Sequence, residues 1–281
     1  MKRRIAAFLL SASLAFGLVQ PIAHSQQQVM RRPIAANSFT TPSDIESIWE
    51  WWEPSRDTGT DGVGLQTLTG QKNGRNWTQA TAGSRPLYDT TNALNGQAVI
   101  HCDARYYDGP DMTGIGSGTG SSKTAHVFIV VKADNYIESD INGVGLWKIS
   151  SAGAGTLYGY SGTSGSIYET ALQSARLDNI PPGTSLANWV VYEVSIQASS
   201  APATADGSYV LKINGTQIGS ANIVGMGFSA TPLLGRTNDS GNQWFFKGRI
   251  AGMYLFSALL GSTDRTNLIN YIDTRFGLSA S

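Results

Sequence analysis

Short apolar runs, each closed off by turn residues, recur along the chain, and this punctuation is what most restricts the fold. They are IWEWWEP (48–54), GQAVIHCDA (96–104), TAHVFIVVKA (124–133), GVGLWKIS (143–150), GTLYGYSG (155–162), NWVVYEVSIQ (188–197), SYVLKINGTQIG (208–219), TPLLGRT (231–237) and QWFFKGRIAGMYLFS (243–257). Runs of this length bounded by Gly, Asn, Asp and Pro read as β-strands. NWVVYEVSIQ alternates Val190, Tyr192, Val194 and Ile196 against Val191, Glu193, Ser195 and Gln197, which puts one face in and one face out. The run HVFIVV is apolar on both faces, so it belongs mid-sheet with cover on both sides. Asn214-Gly215 between two runs marks a two-residue hairpin, whose central positions need positive φ. One helix stands out, STDRTNLINYIDTRFG (262–277). Ser262 or Thr263 is placed to cap it, Leu268, Ile269, Tyr271, Ile272 and Phe276 form its apolar stripe, and Gly277 ends it. The expected fold is an all-β sandwich of two antiparallel sheets closed by one C-terminal helix.

Ahead of the first run, Lys2-Arg3-Arg4 precedes the apolar stretch 5–19, then Pro21 and Ala23-His24-Ser25. This is the order of a secretory signal peptide, too short to span a bilayer comfortably. It predicts a leader over 1–25, an extended linker over 26–43 and one domain over 44–278, with no membrane span once the leader is removed. The alternatives are a start at Met30 or a retained leader. The domain is long enough to bury its own core.

Composition excludes several classes. Charges balance, 20 basic against 20 acidic, and without Lys2, Arg3 and Arg4 the remainder turns slightly acidic. That is no footprint for nucleic acid, which needs a basic surface. Cys102 is the lone cysteine, so no intrachain disulfide and no cysteine zinc site can form. In a strand it shares a face with Ile100 and is expected to be a buried, inert thiol. His24, His101 and His126 lie too far apart for a local metal motif. There is no nucleophile elbow, phosphate loop or His-Glu-x-x-His. Glu46 and Glu50 flank Ile48 where a paired-carboxylate glycosidase would place an acid, so they read as solvated carboxylates and no intact glycosidase motif is present, which leans against an enzyme and leaves the question open.

Aromatic residues in turn-rich segments are more informative, because sugar C–H faces pack on rings while polar groups fix the hydroxyls. Trp49 and Trp51 share one strand face and Trp52 takes the other, so at least one belongs to the core, and Trp51 reads as core before ligand contact. Tyr106 and Tyr107, followed by Asp108 and Asp111, form one candidate segment. Asn238, Asp239, Asn242 and Trp244 in the loop 237–244 form another. The competing reading of both is an ordinary solvated turn.

The order of pieces resembles the concanavalin A-like lectin/glucanase superfamily, in particular the laminin G-like domains of bacterial and phage surface proteins. The resemblance rests on Phe39-Thr40-Thr41-Pro42-Ser43, Trp51-Trp52-Glu53-Pro54-Ser55, Gly62-Val63-Gly64-Leu65, Arg85-Pro86-Leu87-Tyr88 and Leu94-Asn95-Gly96-Gln97. It continues through Leu211-Lys212-Ile213-Asn214-Gly215-Thr216, Leu234-Gly235-Arg236, Phe246-Lys247-Gly248-Arg249 and Phe276-Gly277-Leu278. It spans about residues 39–278 and departs from the pattern at Cys102 and Gly252. It implies a jelly-roll sandwich and makes calcium a candidate cofactor, with oxygen ligands from Asp103, Asp108 and Asp111, or from Asp239. It does not fix function, since such folds host many. The expected role is a non-enzymatic carbohydrate-binding or attachment module, secreted or on a cell or virion surface, whose partner is a glycan or polysaccharide. The alternatives are a structural virion or appendage component that contacts other structural proteins, and a glycoside hydrolase or polysaccharide lyase.

Overall fold

The computed structural model describes residues 39–116, 123–134, 142–150, 156–160, 167–172, 175–180, 183–197, 208–221, 227–239 and 242–280. The expected leader and most of the expected linker lie outside them. In chain order the strands are β1 (Ile48–Trp52), β2 (Thr67–Leu68), β3 (Trp77–Thr78), β4 (Leu87–Leu94), β5 (Gln97–Asp103) and β6 (Tyr107–Asp108). Then follow β7 (Thr124–Ala133), β8 (Asn142–Ser150), β9 (Thr156–Tyr160), β10 (Ile167–Leu172), β11 (Ala175–Ile180) and β12 (Val190–Gln197). The last are β13 (Ser208–Ile213), β14 (Thr216–Ala221), β15 (Phe228–Leu234), β16 (Arg236–Asp239), β17 (Asn242–Phe245) and β18 (Lys247–Phe256), before helix α1 (Ser262–Phe276).

Among the described residues the strands make two eight-stranded antiparallel sheets and a small ribbon. One sheet runs β14-β13-β12-β7-β18-β5-β4, and β1 pairs with the second half of β18. The other runs β11-β10-β9-β8-β15-β6-β3-β2, and β16 pairs with β17. The all-β sandwich with a C-terminal helix is therefore the fold. No described helix is long and apolar enough to cross a membrane.

Strand β7 explains why two cores exist. Val127, Ile129 and Val131 point between the sheets and pack with Tyr192, Val194, Ile196, Ile250 and Leu255. Phe128 and Val130 point the other way and pack with Val99, Val191, Tyr254 and Phe256 beneath Leu268, Ile269, Ile272 and Phe276 of α1. A run apolar on both faces from Val127 to Val131 thus has cover on both sides, as its composition demands. The hairpin at Asn214-Gly215 has φ of 46° and 75°. Cys102 is buried between the sheets, and burial pushes its thiol well above the ordinary range.

Two local expectations are corrected. The helix N-cap is Gly261, one residue before Ser262, and no side chain caps it, while Gly277 ends it in the left-handed region. Trp49 and Trp51 do not share a face. A register shift between Ile48 and Glu50 breaks the alternation. Trp49 therefore joins Trp52 between the sheets, and Trp51 joins Ile48 under the helix.

Candidate functional site

Sequence reading overlooked the stretch 57–69, which closes the seam between the two sheets at their β4 and β2 edges. The backbone clamps it to β4: Gly62 N–H donates to Tyr88 O at 2.8 Å, Tyr88 N–H to Val63 O at 2.9 Å, and Leu65 N–H to Pro86 O at 2.8 Å. Gly59 lies so close to the Tyr88 ring that a Cβ there would come within 2.5 Å of it. Asp61 clasps the far side. Its carboxylate accepts from the backbone N–H and hydroxyl of both Thr90 and Thr91, which, led by the Thr90 N–H, hold its pKa at about 2. Asp57 Oδ2 accepts from Thr69 N–H at 3.1 Å.

These ties leave an open groove of about 710 Å³ between the two arms of the stretch, a volume in the range of small-molecule sites, about 300–1,000 Å³. Its polar lining residues are Asp57, Thr58, Thr60, Gln66, Thr67, Thr69 and Arg85. Val63 adds an apolar surface that is 55% exposed.

The two segments picked out from the sequence come together next to this groove. Ala104 takes φ of 53° and turns the chain out of β5. Then β6 pairs with β15, Tyr107 opposite Leu234 and Asp108 opposite Leu233. Gly235, with φ of 83°, starts the ribbon, and a Cβ there would meet Arg105 O at 2.7 Å. The ribbon lies so close over β8 that a Cβ on Gly145 would sit 2.4 Å from Trp244 O. Tyr106 thereby faces the ribbon. The Arg236 guanidinium lies 3.6 Å from the centre of its ring, and Phe245 stands 6.1 Å from it, tilted by 52°.

Several candidates change role. Tyr107 is 0% exposed, donates its hydroxyl to Leu65 O at 2.9 Å and is pushed far above the ordinary phenol range by burial. It is core and offers no ring to a ligand. Its strand neighbours Tyr106 and Asp108 point the opposite way, as alternation requires. The loop 237–244 is a hairpin ribbon, with Arg236 opposite Phe245 and Thr237 opposite Trp244. Trp244 therefore takes the face of the buried Thr237, and the ring beside Tyr106 belongs to Phe245. The side chains of Asn238, Asp239 and Asn242 lie outside the described residues. Among the described residues no three His, Cys, Asp or Glu are grouped to hold a metal ion, so Asp103, Asp108 and Asp111 do not form one carboxylate cluster. Asp111 is exposed, and the Thr113 hydroxyl and N–H hold its pKa below the usual carboxylate value.

Of the expected solvated pair, Glu46 is exposed as expected and Glu50 is corrected. Glu50 is 0% exposed and accepts four backbone N–H groups, from Trp51, Lys72, Asn73 and Arg75. It organises the turn 70–76 and has no access to a substrate.

Groove and ring platform are one turn apart. Tyr106 N–H donates to Ser84 O at 3.0 Å, and Arg105 Nη1 to Gly83 O at 3.2 Å and Arg85 O at 2.9 Å. Arg85 in turn donates through Nε to Gln79 O and through Nη2 to Ala80 O, both at 2.9 Å.

The class these features define is an antiparallel β-sandwich carrying an open polar groove beside an aromatic–arginine platform. No protein-family profile and no curated protein sequence matches the chain. Solved structures are similar to it at low identity. Trypanosoma rangeli sialidase in complex with sialic acid is 9% identical, with a TM-score of 0.54 over 82% of this chain and 33% of that one. The binding domain of botulinum neurotoxin serotype D/C is 12% identical, with a TM-score of 0.44 over 83% of this chain and 53% of that one. Domain 4 of the Geobacillus stearothermophilus arabinanase AbnA, a GH43 extracellular enzyme solved with arabinotriose, is 13% identical, with a TM-score of 0.49 over 79% and 98%. The chain spans about a third of the sialidase's length and about half of the toxin domain's. The likeness to the sialidase shows the sandwich fold and nothing finer.

Proposed function

We propose that this protein is a carbohydrate-binding module of the concanavalin A-like, laminin G-like kind, exported to the cell or virion surface, which holds a glycan without cleaving it. The observation that carries the reading is the groove of about 710 Å³ along 57–69. Its lining of four threonines, Gln66, Asp57 and Arg85 around the exposed Val63 has the mixture of residue types that sugar hydroxyls and C–H faces require. Tyr106 and Phe245 extend that surface with rings. The sandwich likeness to a sialidase solved with sialic acid is in keeping with this ligand class. No carboxylate pair with the freedom to act as acid and base lines the groove, since Asp57 is the lone acid there.

Affinity electrophoresis of the purified protein through gels cast with soluble polysaccharides tests the proposal. Retardation in at least one gel is expected, together with no release of reducing ends. Val63→Asn and Phe245→Ala should each lose several-fold in affinity with an unchanged circular dichroism spectrum. Full mobility in every gel, or a retardation that neither substitution alters, would overturn it. Mass spectrometry of the N-terminus of the exported protein checks cleavage near Ser25.

A further inference from the structure

Two sets of arginines contrast in this molecule. Arg56, Arg249, Arg265 and Arg275 each sit in an ion pair with a buried or half-buried carboxylate. Arg85 and Arg105 do not. Their partners are the carbonyl oxygens of Gln79, Ala80, Gly83 and Arg85, all in one short stretch, and among the described residues neither has a carboxylate within ion-pair distance. Hydrogen bonds to neutral carbonyls fix a guanidinium in place and leave its charge uncompensated. Both cations are half-buried, so solvent screens them less than it would a free surface side chain. They are also held on either side of the Ala82–Ser84 turn, which separates the groove from the Tyr106 platform. Arg85 Nη1 and Arg105 Nε and Nη2 remain as donors, since the carbonyl bonds use the other nitrogens.

Two fixed guanidiniums between a threonine-lined groove and a pair of rings make a receptor for an anionic group carried on a sugar chain. We infer that the ligand is an acidic glycan, one of whose carboxylate or sulfate groups docks on Arg85 and Arg105 while its neighbouring sugars lie in the groove and against Tyr106 and Phe245. Arg prefers such planar or trigonal oxyanions because its donors form a rigid fork. Asp57 in the groove lining keeps its negative charge, its Oδ2 accepting only the neutral Thr69 N–H, so the anionic group belongs on the two arginines and the uncharged sugars in the groove. The inference rests on the glycan-binding reading and adds the charge class to it.

The test is titration calorimetry of the full chain with polygalacturonate, chondroitin sulfate, the neutral polymer dextran and poly-L-glutamate. Preference for polygalacturonate or chondroitin sulfate over dextran by about tenfold or more is expected; since chondroitin sulfate carries both groups, binding of polygalacturonate assigns a carboxylate, and binding of chondroitin sulfate alone assigns the sulfate. The preference should shrink as sodium chloride is raised. Arg105→Gln should lose about tenfold towards the acidic glycan, and Arg105→Lys should recover part of it. If Arg105→Gln is unstable, the salt dependence of the unaltered protein decides alone. Dextran bound as tightly as the acidic glycans, without salt dependence, overturns the inference and leaves the glycan module standing. Binding to none of the three polysaccharides overturns both. Equal binding to poly-L-glutamate makes the two arginines a general polyanion patch and overturns the inference as well.

Discussion

At the scale of single residues, the candidate site depends on positions where the backbone, more than the side chain, is constrained. Gly235 combines φ of 83° with a 2.7 Å approach of any Cβ to Arg105 O and 3.0 Å to Cys102 Sγ. A side chain there is strained by conformation and by contact together, and at such a position the penalty exceeds the roughly 0.4–1 kcal/mol that alanine gains elsewhere by restricting the unfolded chain. Gly235→Ala is therefore expected to lower stability by more than about 1 kcal/mol in urea titration. It should also move Arg236 off the Tyr106 ring, read as a change in tyrosine and tryptophan fluorescence. Unchanged stability would mean that the ribbon is not seated as described. Tyr106 and Asp108 were legible as outward-facing residues because they stand in a turn-rich segment after a strand. Tyr107 was misplaced because a two-residue strand is too short to show its alternation in sequence. Phe245 was missed because Trp244 is the more conspicuous ring, and only the ribbon's register shows which of the two faces Tyr106.

At the scale of elements, the helix is fixed to the sheet by two buried carboxylates as well as by its apolar stripe. Glu53 accepts from Tyr254, Tyr271, Arg56 and Arg275, and Glu193 from His126, Lys212 and Arg265. His126 links this pairing to the segment leading into α1. Leu260 N–H donates to its Nδ1 at 3.2 Å, so Nδ1 is unprotonated and Nε2–H faces Glu193 at 3.0 Å. Burial, helped by the charges of Lys212 and Arg265, holds the His126 pKa below its ordinary 6.5 against the pull of Glu193. The folded state then binds fewer protons than the unfolded one below pH 6.5, so this contribution is present above 6.5 and is lost as pH falls through the folded value. Burial alone would raise Glu193, but Arg265 and His126 hold it at about 2, so its contribution is lost only from about 4.5 downwards. Urea midpoints should accordingly fall between pH 7 and pH 5, and His126→Gln should flatten that interval without altering the loss below pH 4.5. An unchanged slope in the variant would refute the assignment.

The same element scale shows what sequence could reveal. β7 and β12 were legible because a central strand must be apolar wherever it is covered. β4 (LYDTTNAL), β10 (IYETAL) and β11 (ARLDNI) were not, since β4 and β11 are sheet edges and their mixed sequences carry no period. The groove stretch 57–69 escaped for a related reason. It is a loop shaped by Gly59, Asp61 and Asp57 through contacts to β4 and to itself, and such contacts leave no periodic trace.

At the scale of the whole molecule, the two cores share strands, and this sets how the chain unfolds. β7, β12 and β18 each give alternate side chains to the core between the sheets and to the core under α1. Removing the helix would uncover Phe128, Val130, Val191, Tyr254 and Phe256 on one sheet face. It would also take Arg265 from Glu193 and Tyr271 and Arg275 from Glu53, leaving both buried carboxylates short of partners, and breaking such a pair costs about 3–5 kcal/mol. An apolar patch of that size on a soluble sheet drives association. A chain ending at Gly261 is thus expected to aggregate on light scattering instead of folding as a smaller sandwich. In the intact chain, Ile272→Ala should cost about 2–5 kcal/mol, with near- and far-ultraviolet circular dichroism lost together in urea, because loosening the helix also loosens the strands that hold the sheets together. A monomeric truncated chain with a sharp melt, or a helix signal lost ahead of the sheet signal in Ile272→Ala, would show the two cores to be independent.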